Sequence, residues 1–102
     1  MLYVVTLTYL RPRQDIQAHL GTHRDWLIEH ARTGRIIAAG PLESGDGGVI
    51  LAHCQSRDEL DDMLQHDSFR VHGLAQYGVQ AFDAALRAQA FPAAWAPEAK
   101  AP

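Results

Sequence analysis

His23 sits in the stretch Thr22 to Leu42, THRDWLIEHARTGRIIAAGPL, and Asp67 sits well downstream in HDSF. An imidazole titrates near neutral pH. A carboxylate beside it selects the ring tautomer and supports the charged form, so a His–Asp pair closed by folding is a minimal proton-transfer device. A plainer reading makes both ordinary fold residues. His23 is then a satisfied rim or core histidine, and Asp67 an N-cap for the turn at Ser68-Phe69-Arg70.

The other histidines carry less. His19 and His23 stand four apart on one helix face, a spacing that can chelate a divalent ion, and His30 falls seven beyond His23. The glutamate of an H-E-x-x-H site is missing, since Leu20, Gly21 and Thr22 intervene. His19 and His30 therefore read as half-exposed helix residues, and no metal is expected. The His66-Asp67 dipeptide lacks the helical domain and further ligands of a metal-dependent phosphohydrolase. Ser68 has no G-x-S-x-G context, and Gly45 to Gly48 (GDGG) lies between strands with no following GK[ST]. Nothing here asks for a cofactor. Gly40-Pro41 closes a strand beside the expected pocket, where such a turn can line a ligand cavity. Ser68 and Arg70 read either as anion-binding or as surface residues. Gly40, Pro41 and Ser68 are the substrate-binding candidates.

These residues need elements to hold them. Leu2 to Leu10 reads as a strand, broken by Arg11-Pro12-Arg13. Asp15, as N-cap or first-turn acid, opens a helix running to about Arg32, with Ile16, Leu20, His23, Leu27 and Ala31 on one stripe and Gly34 at its end. Trp26 reads as packing. Arg35 to Ala39 is a second strand, followed by Gly40-Pro41. A turn at Ser44 to Gly48 leads into a third strand through Cys54. Ser56 and Glu59 form a capping box for a helix to Gln65. His66 to His72 is irregular or a short helical turn. Leu74 to about Leu86 is a fourth strand that Gly78 interrupts with a bulge or bend. The Ala/Pro-rich tail from Arg87 is either frayed or an arm for a partner subunit.

The order β-α-β-β-α-β predicts an α+β, ferredoxin-like fold: one domain over 1–86 with a four-stranded antiparallel sheet, and a tail over 87–102. Both helices cover one sheet face. A second copy, packed sheet to sheet as a dimeric α+β barrel, is the economical cover for the other.

Composition sets outer bounds. The 102 residues are 47% hydrophobic with a formal net charge of −3, which gives no basic patch for nucleic acid. The densest basic spot, Arg11 and Arg13 around a proline, reads as loop. Cys54 is the only cysteine and excludes an intrachain disulfide, as suits a reducing cytoplasm. MLYVVTLTYL has no basic leader and is too short to span a bilayer, so no membrane partner is expected.

With these elements placed, the chain resembles the YCII-related domain family over about residues 2 to 83. The resemblance rests on H-x-x-W-L-x-x-x-x-x-x-G-R-I-I-x-A-G-P from His23 to Pro41, G-G-V-I-L-A from Gly47 to Ala52, and D-S-F at Asp67. It implies a ferredoxin-like fold in dimeric barrels, and an active site that pairs the helix histidine with the aspartate of an Asp-Pro-Phe motif, here His23 and Asp67. The motif's proline is Ser68 in this chain. The family's best-understood enzymatic type removes chloride from a chlorinated hydroxyhydroquinone. The functional expectation is a cofactor-independent lyase or isomerase acting on a small organic substrate in the cytoplasm. The alternative is a non-catalytic ligand-binding or accessory module.

Overall fold

Strands form where inward apolar residues alternate with polar ones. A computed structural model describes residues 1–102. In β1 (Leu2–Tyr9), Tyr3, Val5 and Leu7 are buried while Thr6 and Thr8, on either side of Leu7, are exposed. β1 is central, paired antiparallel with β3 (Gly47–His53) on one side and β4 (Ala75–Phe82) on the other. β2 (Ile36–Pro41) pairs with β3 at the edge, giving the order β2-β3-β1-β4. Each strand–helix–strand crossover skips one strand, so the fold is the expected ferredoxin-like α+β plan.

The helices are α1 (Arg13–Ala18), α2 (Leu20–Arg32), α3 (Arg57–Gln65) and α4 (Ser68–Val71). Val5, Leu7 and Ile50 of the sheet share one core with Trp26, Leu60 and Phe69 of the helices. On the opposite sheet face Thr6, Thr8, Gln76, Gly78 and Gln80 are exposed. No helix is long and apolar enough to cross a membrane.

Several expectations are corrected. The first helix is two, because His19 leaves helical geometry at φ −115°, ψ 9°. Its carbonyl is met by the His23 N–H (3.1 Å), the Thr22 hydroxyl (3.0 Å) and the Ser68 hydroxyl (3.3 Å). Pro12 occupies the N-cap position of α1, which leaves Asp15 the other role expected of it, the first-turn acid. Trp26 is the buried residue of α2, and Ala31 is exposed. β2 continues through Pro41, and its register slips between Ile36 and Ala38. β4 ends at Phe82 and runs through Gly78 in unbroken register opposite Thr6. Ser56 does accept from the Glu59 N–H, but the Glu59 carboxylate reaches the Gln55 N–H.

Gly47 explains its own residue type. A Cβ built there would lie 1.8 Å from the Leu7 carbonyl oxygen, so only glycine fits where β3 meets β1. The tail returns onto its own chain. Arg87 donates to the Lys100 carbonyl and Lys100 to that of Ala85, Phe91 meets Trp95 edge to face at 5.6 Å, and the Trp95 indole lies beside Gly34.

Candidate active site

The break at His19 starts α2 afresh, and His23 stands at its fourth residue. Opposite it, the chain leaves α3 and Asp67 adopts an extended backbone (φ −67°, ψ 130°) as the N-cap of α4, accepting from the Phe69 N–H at 3.2 Å. The same Oδ1 lies 2.7 Å from His23 Nδ1. Oδ2 accepts a hydrogen bond from the Tyr77 hydroxyl, delivered from β4.

Asp67 is fully buried, so its charge depends on these partners. Three hydrogen bonds converge on the carboxylate. Two come from groups that can only donate there, the Phe69 amide and the Tyr77 hydroxyl. Burial, and then the Asp67 hydrogen bond and charge, push the Tyr77 hydroxyl well above the usual tyrosine range, so it stays protonated. A carboxylate so placed needs a donor from His23, which fixes the proton on Nδ1. The other ring nitrogen, Nε2, has no protein partner.

The imidazole is held by its faces as well as its edge. The Phe69 ring stacks on it at 3.9 Å with planes 2° apart, and the Trp26 indole lies at 6.0 Å, itself anchored by a hydrogen bond to the Met63 carbonyl. Asp67 and Phe69, two residues apart, thus grip one ring by edge and face. Only 12% of the His23 side chain remains exposed.

That exposed part borders a cavity of about 920 Å³ between the α1–α2 pair and the β2–β3 edge of the sheet. Gly40 and Pro41 line it; Asp67 and Ser68 do not. Ser68 instead ties α4 to the His19 carbonyl. His19 stacks on His72 at 4.0 Å, and no group of three or more His, Cys, Asp or Glu residues is arranged to hold a metal. Arg70, read as anion-binding or surface, lies over the Tyr77 ring at 5.3 Å. Cys54 is buried, and burial pushes its thiol up to about 11, so it is not a nucleophile at neutral pH.

Tyr77, Phe69 and Trp26 were missed as site residues. Tyr77 had a signal: a tyrosine at an inward strand position must find a partner for its hydroxyl. Phe69 had one in the D-x-F spacing, which a first helical turn folds toward a common neighbour.

No curated protein sequence matches the chain. Among solved structures, the 5-chloro-2-hydroxyhydroquinone dehydrochlorinase TftG from Burkholderia phenoliruptrix AC1100, in complex with 2,5-dihydroxybenzoquinone, superposes with a TM-score of 0.68 at 21% sequence identity. The match covers 82% of this chain and 95% of that one. At such identity the likeness is one of fold. The YCII-related domain profile matches residues 1–83, from the first strand through β4. The helix histidine and the D-x-F turn that hold the candidate site fall inside that match, and this chain belongs to the YCII-related domain family.

Proposed function

We propose that the protein is a cofactor-independent lyase or isomerase in which His23 moves a proton on a small organic substrate. The observation that carries this reading is the 2.7 Å contact between His23 Nδ1 and the buried Asp67, at a histidine that borders the large cavity. With Nδ1–H committed to Asp67, the Nε2 lone pair is the base. It takes a proton from a substrate carbon, and the imidazolium so formed is stabilised by the carboxylate. In isomerisation the same nitrogen returns the proton to another atom of the substrate. In elimination the electron pair of the broken C–H bond becomes a double bond, the leaving group departs, and the proton passes to solvent. Asp67 is a positioning residue, and Gly40 and Pro41 shape the substrate's seat. The shared fold with a dehydrochlorinase supports the elimination branch. The free thiol of Cys54 suits work in the reducing cytoplasm.

We also propose that the exposed sheet face pairs with that of a second copy, closing a dimeric α+β barrel.

The test follows chloride release from 5-chloro-2-hydroxyhydroquinone, and carbon-bound hydrogen exchange in D₂O for a panel of small keto and hydroxy acids. His23→Gln should lower any turnover found by about 10²- to 10⁴-fold while leaving cooperative unfolding intact. Turnover that survives His23→Gln sinks the reading. A folded protein that binds but turns over none of the panel belongs with non-catalytic binding modules.

A further inference from the structure

Three of the chain's nine Lys and Arg residues border the cavity that His23 borders. Arg11 and Arg13 flank Pro12 where β1 turns into α1, and Arg24 follows His23 on α2. Leu20, Arg24 and Leu27 recur at helical spacing and all line the cavity, so one strip of α2 presents a cation between two apolar side chains.

Like Arg32, which lies outside the cavity lining, these three arginines lack partners. Arg35 and Arg57 pair with Glu59 and Asp61, Arg70 lies over Tyr77, and Arg87 donates to the Phe91 carbonyl. Arg11, Arg13 and Arg24 make no ion pair and no side-chain hydrogen bond within the protein. Asp46, on the β2–β3 turn, is the single carboxylate of the cavity lining. Three guanidinium groups against one carboxylate leave this wall at about +2, in a molecule whose formal net charge is −3. Leu7, Ile16, Pro41 and Ile50 supply apolar surface to the rest of the wall, interrupted by the polar side chains of Thr8, Gln17 and His23.

We propose that this cleft takes a small organic anion, a molecule with a flat or branched apolar body and a carboxylate. A guanidinium meets a carboxylate through two parallel N–H···O bonds, and does so best where apolar walls thin the water. Arg24, adjacent to His23 in sequence, holds the anion with Arg11 and Arg13, while the apolar body lies along Leu20, Leu27 and Ile50. For the ligand's orientation toward Nε2 the proposal rests on the proton-transfer reading; for the charge of the ligand it does not. Negative charge that develops when a carbon next to the acid group loses its proton would meet the same positive wall.

The experiment titrates ¹⁵N-labelled full-length protein with benzoate and, separately, with benzamide, a neutral molecule of nearly the same shape. Benzoate should shift the backbone amides of the cavity lining and the Arg24 Nε–H signal, and should bind about tenfold or more tighter than benzamide, as expected for hydrogen bonds to a charged group. Arg24→Gln should cost benzoate most of that advantage and leave benzamide unchanged, and added salt should weaken benzoate alone. Equal binding of the two probes overturns the proposal. So does wild-type benzoate affinity in the triple variant R11Q/R13Q/R24Q, or no shift with either probe. His23→Gln separates the two readings. Benzoate preference retained in that variant, with no proton transfer found in the wild type, leaves the anion site standing and removes the catalytic role. Loss of the preference in the wild type removes the anion site whatever His23 does.

Discussion

Asp67 carries more of the site than its chemistry alone would suggest. One side chain caps α4, orients His23 and receives the Tyr77 hydroxyl. Asp67→Ala leaves the His23 N–H and the Tyr77 O–H facing a vacated, dry space, and should destabilise the fold by about 3–5 kcal/mol in urea titration. Asp67→Asn keeps the volume but offers one accepting oxygen for three donors. It should move the proton of His23 from Nδ1 to Nε2 in part of the molecules, visible in the ring ¹⁵N shifts. Tyr77 supplies a pH signature. Because the folded state holds its proton more tightly than the unfolded chain, this contribution is complete below pH ~10 and is lost as pH rises beyond it, with a slope of up to about 1.4 kcal/mol per pH unit. Tyr77→Phe should flatten that alkaline decline, while lowering stability at neutral pH by about 1.5–3 kcal/mol for the hydrogen bond to the carboxylate. An unchanged alkaline slope would argue against a buried Tyr77–Asp67 bond.

At the scale of elements, the sequence was legible where a local rule had one answer. The nearly continuous apolar run from Leu2, the Ser56 cap and the glycine after α2 each gave a strand or helix boundary within a few residues. The residues alone left the contact between His23 and Asp67 open, and only the resemblance to the family implied it. The break at His19 was not legible, because what satisfies its carbonyl includes the Ser68 hydroxyl from a distant segment. Within α2 the inward face runs through His23, Trp26, Leu27 and His30, and Ala31 is exposed. The Ser68 hydroxyl reaches across to the α1–α2 junction and ties the turn bearing Asp67 to the helix bearing His23. The β2–β3 hairpin gives a sharper test. Gly47→Ala forces a Cβ into the Leu7 carbonyl and should cost at least about 4 kcal/mol, or prevent folding. Gly40→Ala meets nothing within 4 Å and should stay within about 1 kcal/mol of the wild type in the same denaturation series. Equal effects would mean that β3 does not approach β1 as described.

For the molecule as a whole, the sheet buries one face under helices and leaves the other to Thr6, Thr8, Gln76 and Gln80. If a second copy covers that face, light scattering should give twice the 11.3 kDa of one chain. Thr6→Glu should then split the assembly while preserving the helical and strand signals in circular dichroism. A monomer mass at every concentration tested would leave the cleft to work within a single chain. The tail was not legible from composition. Its Ala/Pro content left fraying or an arm for a partner subunit open, but the Phe91–Trp95 pair, the Trp95 indole beside Gly34 and the Leu86–Lys100 bridge fold it back.

Cys54 gives the protein a built-in clock. It is the only thiol, it is 2% exposed, and burial raises its pKa, so the closed form offers almost no thiolate. Alkylation must wait for the end of β3 to open, so the labelling rate counts openings without any introduced probe. A compound that settles in the cleft of the closed form slows that clock in proportion to its occupancy. A mass spectrometer following one carboxymethyl group can therefore rank unknown ligands before any reaction is known.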